Sequence, residues 1–86
     1  MDSVWKYELD IIDVQKVSMP ADSQILTVQI QKEVPCLWAL VNIERRQEER
    51  TIFIKGTGHP IHSPMGDYIG TFQMMDGEAV FHVFEA

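Results

Sequence analysis

The chain has 86 residues, 45% of them apolar, which fits one globular domain over residues 1–86 and excludes a low-complexity or disordered chain. Its formal net charge of −6, from 13 acidic and 7 basic side chains, disfavours direct binding to DNA or RNA because counterion release needs clustered Lys or Arg. No apolar run approaches the roughly 20 residues that cross a bilayer, and no leader pattern is present, so we expect a soluble, intracellular protein without membrane contact.

The first third of the chain reads as three strands. Apolar and polar residues alternate over 4–10 and again over 24–31, which is typical of half-buried strands. A weaker run, 14–19, ends at Pro20 and predicts a short edge strand. The side chains predicted to face inward are Trp5, Tyr7 and Leu9 in the first strand and Leu26, Val28 and Ile30 in the third.

Residues 36–41 are apolar on both faces, which indicates a strand in the middle of a sheet or at a subunit contact. We predict that Trp38 lies in the core or at an interface between subunits and that the protein is a homo-oligomer, with a C2 dimer as the commonest solution. Cys36 is the only cysteine, so an intrachain disulfide is impossible, and its apolar neighbours predict a buried, inert thiol.

The second half of the chain continues the strand pattern. Residues 42–49 are polar and predict a solvated hairpin tip, and 50–55 resumes the sheet. Residues 67–75 predict a strand in which Gly70 marks a bulge or a close backbone approach. Asp76-Gly77 then predicts a tight hairpin into a last strand, 79–85. The pattern therefore predicts an all-β fold, a small antiparallel β-sandwich or barrel of six to seven short strands.

The segment between these strands, 55–66, is the one long stretch that alternation does not explain, and long loops between strands often carry function. Its glycine amides, the Thr57 hydroxyl, Lys55 and His59 are suited to hold a phosphate or carboxylate. The alternative is a wide turn whose histidines are merely solvated. The predicted ligand-binding residues are Lys55, Gly56, Thr57, Gly58, His59, His62 and Tyr68, the last as an aromatic stacking surface.

Other chemistry is weakly represented. His59 and His62 lack the spacing of a zinc site, and Cys36 lacks the exposure that a nucleophilic thiolate needs. The carboxylates lie at turns and outward strand positions, and His82, on the strand face opposite Phe81, reads as a satisfied or solvent-facing histidine. We therefore expect a non-enzymatic protein with no catalytic residue, no metal and no cofactor.

Five segments together resemble a family of small phage- and prophage-encoded proteins of unknown function: WKY (5–7), PCLWALV (35–41), GTGHPI (56–61), YIGTFQ (68–73) and VFHVFE (80–85). The resemblance implies a phage origin and a host bacterial cytoplasm, and it carries over no site residue. Proteins of this kind often look like inhibitors of host antiviral defence. The hypotheses are a binding protein that sequesters a small anionic, nucleotide-type signalling molecule, an inhibitor that binds a host protein, and a small hydrolase.

Overall fold

The computed structural model describes residues 2–86, which form seven β-strands and one short 3-10 turn. The strands are β1 (Asp2–Glu8), β2 (Val14–Pro20), β3 (Gln24–Gln31), β4 (Val34–Asn42), β5 (Gln47–Gly56), β6 (Asp67–Met74) and β7 (Ala79–Glu85). The 3-10 turn, Met75–Gly77, lies between β6 and β7. Over residues 2–86 the structure has no helix with the length and apolar character to cross a membrane.

The strands form two antiparallel sheets. One has the order β1-β4-β3 and the other the order β2-β5-β7-β6. Apolar side chains from both sheets are buried between them, because alternate residues of each strand point to the same side. This arrangement confirms the predicted all-β antiparallel fold and is a sandwich, the first of the two predicted alternatives. The most deeply buried core residues are Met19, Leu37, Ala39, Val41, Ile52 and Val83.

The apolar segment 36–41 forms most of β4, the central strand of the three-stranded sheet. β1 and β3 hydrogen-bond to its two edges. Its inner face is buried at Leu37, Ala39 and Val41, whereas on its outer face Trp38 is half-buried and Leu40 is exposed. Cys36 is buried as predicted, and its thiol points toward the Val34 carbonyl at 3.4 Å.

Two predicted inward-facing side chains are exposed. Leu26 is 46% exposed because a bulge between Ile25 and Thr27 shifts the alternation of β3, so that Ile25 packs against the core instead. Trp5 is 41% exposed because β1 lies at the edge of its sheet, where little of the other sheet covers it. Alternation gives the face of a residue, but only the packing of the sheets decides whether that face is covered.

The two sheets meet along β3 and β6. A Cβ atom at Gly70 would lie 2.9 Å from Cγ1 of Val28, so this close approach needs glycine. The bulge predicted at Gly70 is confirmed, because the β6–β7 register shifts between Tyr68 and Gly70. The predicted β6–β7 hairpin is also confirmed, although its loop is longer than a two-residue turn, since the last paired residues are Met74 and Ala79.

The long connection after β5 has a topological cause. β5 and β6 are both antiparallel to β7, which lies between them, so they run parallel to each other. Residues 57–66 must therefore return along the length of the sheet before β6 begins. Near the end of this connection Met65 is buried, and a Cβ atom at Gly66 would lie 2.0 Å from the Glu85 carbonyl oxygen. The connection is thus fixed to the end of β7.

Candidate functional site

His82 lies at the centre of a hydrogen-bonded chain that crosses the four-stranded sheet. Its Nε2 lies 2.6 Å from the Thr57 hydroxyl, and its Nδ1 lies 3.0 Å from the Thr71 hydroxyl. The Tyr68 hydroxyl lies 2.6 Å from that same Thr71 oxygen. Thr71 and Tyr68 belong to β6, His82 to β7, and Thr57 follows β5 directly. We refer to Thr57, Tyr68, Thr71 and His82 as the His82 cluster.

The cluster faces away from the core. Val83 and Ile54 are buried, and His82 and Lys55 are their neighbours in sequence on the opposite side of the sheet. The hydrogen bonds within the cluster are exposed to solvent. This surface is the outer face of the four-stranded sheet, and a ligand can reach it without any rearrangement of the core.

The hydrogen bonds of the cluster can be redistributed. A neutral imidazole has one N–H donor and one acceptor nitrogen, so His82 donates to one threonine hydroxyl and accepts from the other. An imidazolium donates to both hydroxyls, and each hydroxyl proton is then available to another acceptor. Threonine and tyrosine hydroxyls rotate freely, so the cluster can turn donors toward the oxygen atoms of a bound anion while His82 remains hydrogen-bonded.

Lys55 supplies positive charge next to the cluster. It lies directly opposite His82 in the β5–β7 register. Its Nζ is 3.4 Å from Oδ1 of Asp13, whose side chain is largely exposed. Ion pairs with an exposed partner contribute little because water and salt screen them, and an ammonium has three donors. Lys55 can therefore share its charge between Asp13 and an anion bound at the cluster.

An apolar row crosses the same outer face. The strand register places Val14, Phe53, Phe84 and Tyr68 side by side on β2, β5, β7 and β6. The rings of Tyr68 and Phe84 are edge to face, with centroids 5.6 Å apart. The row is two residues along the strands from His82, so the backbone positions are about 7 Å apart, and the Tyr68 side chain joins the two surfaces because its hydroxyl contacts Thr71.

At the start of the long loop, two of the backbone N–H groups already donate within the protein. The Thr57 N–H donates to the Val80 carbonyl, and the His59 N–H donates to the Gly56 carbonyl, both at 3.1 Å. The His59 ring lies against Gly56, where a Cβ would come within 2.9 Å of it, and lines a cleft of about 290 Å³. The acidic Glu78 lines the same cleft. The donors available to a ligand are therefore mainly side chains.

The structure brings together three of the residues predicted to bind a ligand, namely Lys55, Thr57 and Tyr68. Gly56 and His59 line the adjacent cleft, whereas Gly58 and His62 are exposed farther along the loop. Trp38 lies half-buried in the other sheet.

Sequence reasoning assigned no role to His82 and Thr71. His82 is indeed a satisfied histidine, and its partners are the hydroxyls of Thr71 on β6 and of Thr57, which follows β5. The predicted β6–β7 hairpin could have identified this contact. Antiparallel pairing that begins at Met74 and Ala79 puts Thr71 opposite His82.

The Cys36 thiol is not part of this site. Cys36 is on the three-stranded sheet, and burial raises the pKa of its thiol, which disfavours the nucleophilic thiolate. Residues 2–86 contain no group of three or more His, Cys, Asp or Glu side chains placed to hold a metal ion.

The chain matches a described protein family. A family model described as a domain of unknown function (DUF7352) matches residues 1–86. No curated protein and no solved structure shows significant similarity to the chain.

Proposed function

The chain belongs to the DUF7352 family, and from the geometry of its outer face we propose that it is a binding protein for a small anionic, nucleotide-type molecule. The observation that carries the proposal is the His82 cluster, in which both nitrogens of one imidazole meet hydroxyls from neighbouring strands beside Lys55. We propose that binding, without chemical conversion, is the activity.

The anionic part of the ligand is held by the polar row. Lys55 contributes a positive charge, and the threonine hydroxyl that accepts the His82 N–H keeps its own proton free for the anion. Hydrogen bonds from these groups to a charged oxygen are about twice as strong as bonds between neutral groups. Lys55 lies on β5, Thr57 follows it directly and Thr71 lies on β6, so the sheet fixes the site before the ligand arrives and little ordering is needed on binding.

The aromatic part of the ligand is held by the apolar row. Phe84 and Tyr68 present a ring surface, and stacking of a base on an aromatic side chain contributes about 1–3 kcal/mol. The roughly 7 Å between this row and His82 is comparable to the span of a sugar between a base and its phosphate. The two rows together therefore favour a ligand that has a ring at one end and an anion at the other.

The overall charge restricts the ligand to a small one. With a net charge of −6, the protein repels a polyanion, and Asp13 beside Lys55 adds local repulsion. A mononucleotide or cyclic nucleotide covers only the two rows and avoids most of this repulsion. In keeping with the resemblance described above, the proposed context is a phage protein that acts in the host bacterial cytoplasm and sequesters a nucleotide signal of antiviral defence.

The test is isothermal titration of the full chain with a panel of linear and cyclic nucleotides. We expect one or more to bind, with affinity lowered about tenfold or more by Lys55→Ala and by His82→Ala. Lys32→Ala removes the same charge at the β3–β4 turn and should leave the affinity unchanged. His62→Ala removes a histidine of the loop and should also have little effect. Binding of no nucleotide by the wild-type chain would refute the proposal.

A second candidate, a small hydrolase, is favoured by one contact. Thr57 Oγ1 is 2.6 Å from His82 Nε2, within reach for a general base to take a hydroxyl proton. The partner of the other ring nitrogen is Thr71, which lacks the charge that would stabilise an imidazolium. Turnover of a nucleotide or phosphoester that Thr57→Val abolishes, while binding persists, would favour this candidate over simple capture. The third candidate, an inhibitor that binds a host protein, predicts a stable protein complex that Lys55→Ala does not disturb.

A further inference from the structure

β1 has a free edge without the usual protection against pairing. Its residues Asp2–Glu8 pair with β4 in an unbroken register, without a bulge or a proline. Other strands are protected: β2 ends in Pro20, and β6 lies alongside β3. A regular edge strand presents a row of unpaired backbone N–H and C=O groups, which is a template for another strand.

The side chains around this edge are also apolar and exposed. Val4 is 53% exposed and lies beside Leu40, while Trp5 is exposed on the other face of β1. Large apolar side chains on both faces of an uncovered edge are unfavourable in water. Burial of this edge against another strand would remove the unpaired backbone groups and part of the apolar surface together.

The charges on β1 specify which strand fits. Asp2, Val4 and Lys6 point to the same face, since alternate residues of a strand do so. If two copies of β1 pair antiparallel with Val4 opposite Val4, Asp2 of each copy lies opposite Lys6 of the other. A shift of this register by two residues in one direction puts Asp2 opposite Glu8. A shift by four residues in that direction puts Lys6 opposite Lys6. Each of these registers pairs like charges, which repel.

We propose that the β1 edge is a self-association surface whose partner is a second copy of this chain. Antiparallel β1–β1 pairing about a two-fold axis at Val4 joins two three-stranded sheets into one six-stranded sheet. On its outer face, Val4 and Leu40 of both copies form a continuous apolar strip, and Trp38 is one strand away, opposite Lys6. The interface is independent of the His82 cluster, which lies on the other sheet.

The rest of the molecule leaves room for this pairing. β2 approaches the C-terminal end of β1, where Tyr7 and Glu8 line a groove together with Val17 and Ser18. The proposed pairs lie over residues 2–6, so Lys6 is the only residue lining this groove that takes part in them. Among residues 2–86, Asp2 forms no ion pair. The Lys6 ammonium donates to the exposed Gln31 of β3 at 2.7 Å, and on pairing it exchanges this partner for Asp2 of the other copy.

Charge reversal gives a direct test by sedimentation velocity. The wild-type chain should dimerise. Asp2→Lys places Lys opposite Lys, and Lys6→Asp places Asp opposite Asp, so each variant alone should dimerise about tenfold or more weakly. An equimolar mixture of the two variants should form a heterodimer, because every opposing pair is then Lys with Asp. Glu49→Lys and Lys32→Asp change the net charge equally at exposed positions away from β1 and should dimerise like the wild type.

A second measurement follows the backbone. Amide hydrogen exchange in β1 should slow as the wild-type concentration rises, and it should show no such dependence in Asp2→Lys alone. A wild-type chain that remains monomeric would overturn the proposal. It would also be overturned by a dimer that survives both single charge reversals, since that dimer would use another face. Neither result bears on nucleotide binding.

Discussion

Replacement of Gly66 by alanine should destabilise the fold far more than the same replacement at Gly58. The two glycines have nearly the same backbone conformation, with φ of +87° at Gly66 and +84° at Gly58. An L residue in this left-handed region costs roughly 1–2 kcal/mol, and both variants carry that cost. They differ in space, because a Cβ at Gly58 meets nothing within 4 Å, whereas at Gly66 it lies 2.0 Å from the Glu85 carbonyl oxygen.

The contact at Gly66 is with backbone, so a change of side-chain rotamer cannot relieve it. Overpacking typically costs about 1–3 kcal/mol, and the total for Gly66→Ala should therefore be about 3 kcal/mol or more. Gly58→Ala should cost about 1 kcal/mol, since the lower entropy of its unfolded chain offsets part of the backbone strain. The difference between the variants measures how strongly the long connection is fixed to the end of β7.

Urea denaturation followed by tryptophan fluorescence measures both variants. The midpoint concentration should fall in the order wild type, Gly58→Ala, Gly66→Ala, with an unchanged slope if the native surface is retained. In a domain of this size, about 1 kcal/mol corresponds to roughly 4–8 °C in the unfolding temperature, so thermal melting resolves the two. Equal losses in the two variants would mean that the connection is not held at Glu85, and the reasoning would fail.

Three further predictions concern the core and its ion pairs. Leu37→Ala, at a fully buried position of β4, should lower the free energy of unfolding by about 2–5 kcal/mol in a urea titration; a loss below 1 kcal/mol would contradict the proposed packing of the sheets. Arg50→Met should lower the free energy of unfolding by about 2 kcal/mol or more, because Arg50 pairs with the half-buried Glu85 and donates to the Ser23 carbonyl at 2.8 Å. Arg45→Met removes an exposed pair with Asp22 and should lower it by about 0.5 kcal/mol or less. Equal losses in the two urea titrations would refute this distinction. Burial raises the pKa of the Cys36 thiol above its ordinary value of 9.0, so the thiol should resist alkylation in the native state. The contribution of the thiol to the free energy of unfolding should be full below that value and lost as the pH rises through the raised pKa. The free energy of unfolding of Cys36→Ala should therefore depend less on pH in this range.

The sequence predicted strands best where alternation is regular and the turns are well marked. The bounds of β3 and β7 match the predicted ones, and the bulge at Gly70 occurs where an isolated glycine interrupts a strand. The inward face of β3 was wrong at Leu26, because one extra residue in a bulge places the residues before it on the opposite faces from those that the alternation through Val28 and Ile30 predicts. Nothing in the pattern of a single strand marks such an insertion.

The candidate site was predicted only in part, for a related reason. Lys55 and Thr57 were identified because they flank glycines in a long loop, which is a local signal. His82 and Thr71 acquire their meaning from the register between strands, since each is unremarkable in its own segment. The exposure of Trp5 likewise depends on where the second sheet ends, which a local pattern does not encode.

The position of β7 between β5 and β6 affects how this site arises during translation. β5 and β6 are synthesised before β7, but they do not pair with each other. The sheet that contains both is completed only when β7 inserts between them. His82 arrives on that inserting strand and links Thr57 to Thr71, which until then belong to separate segments. The His82 cluster therefore cannot assemble in the nascent chain before β7 has been synthesised.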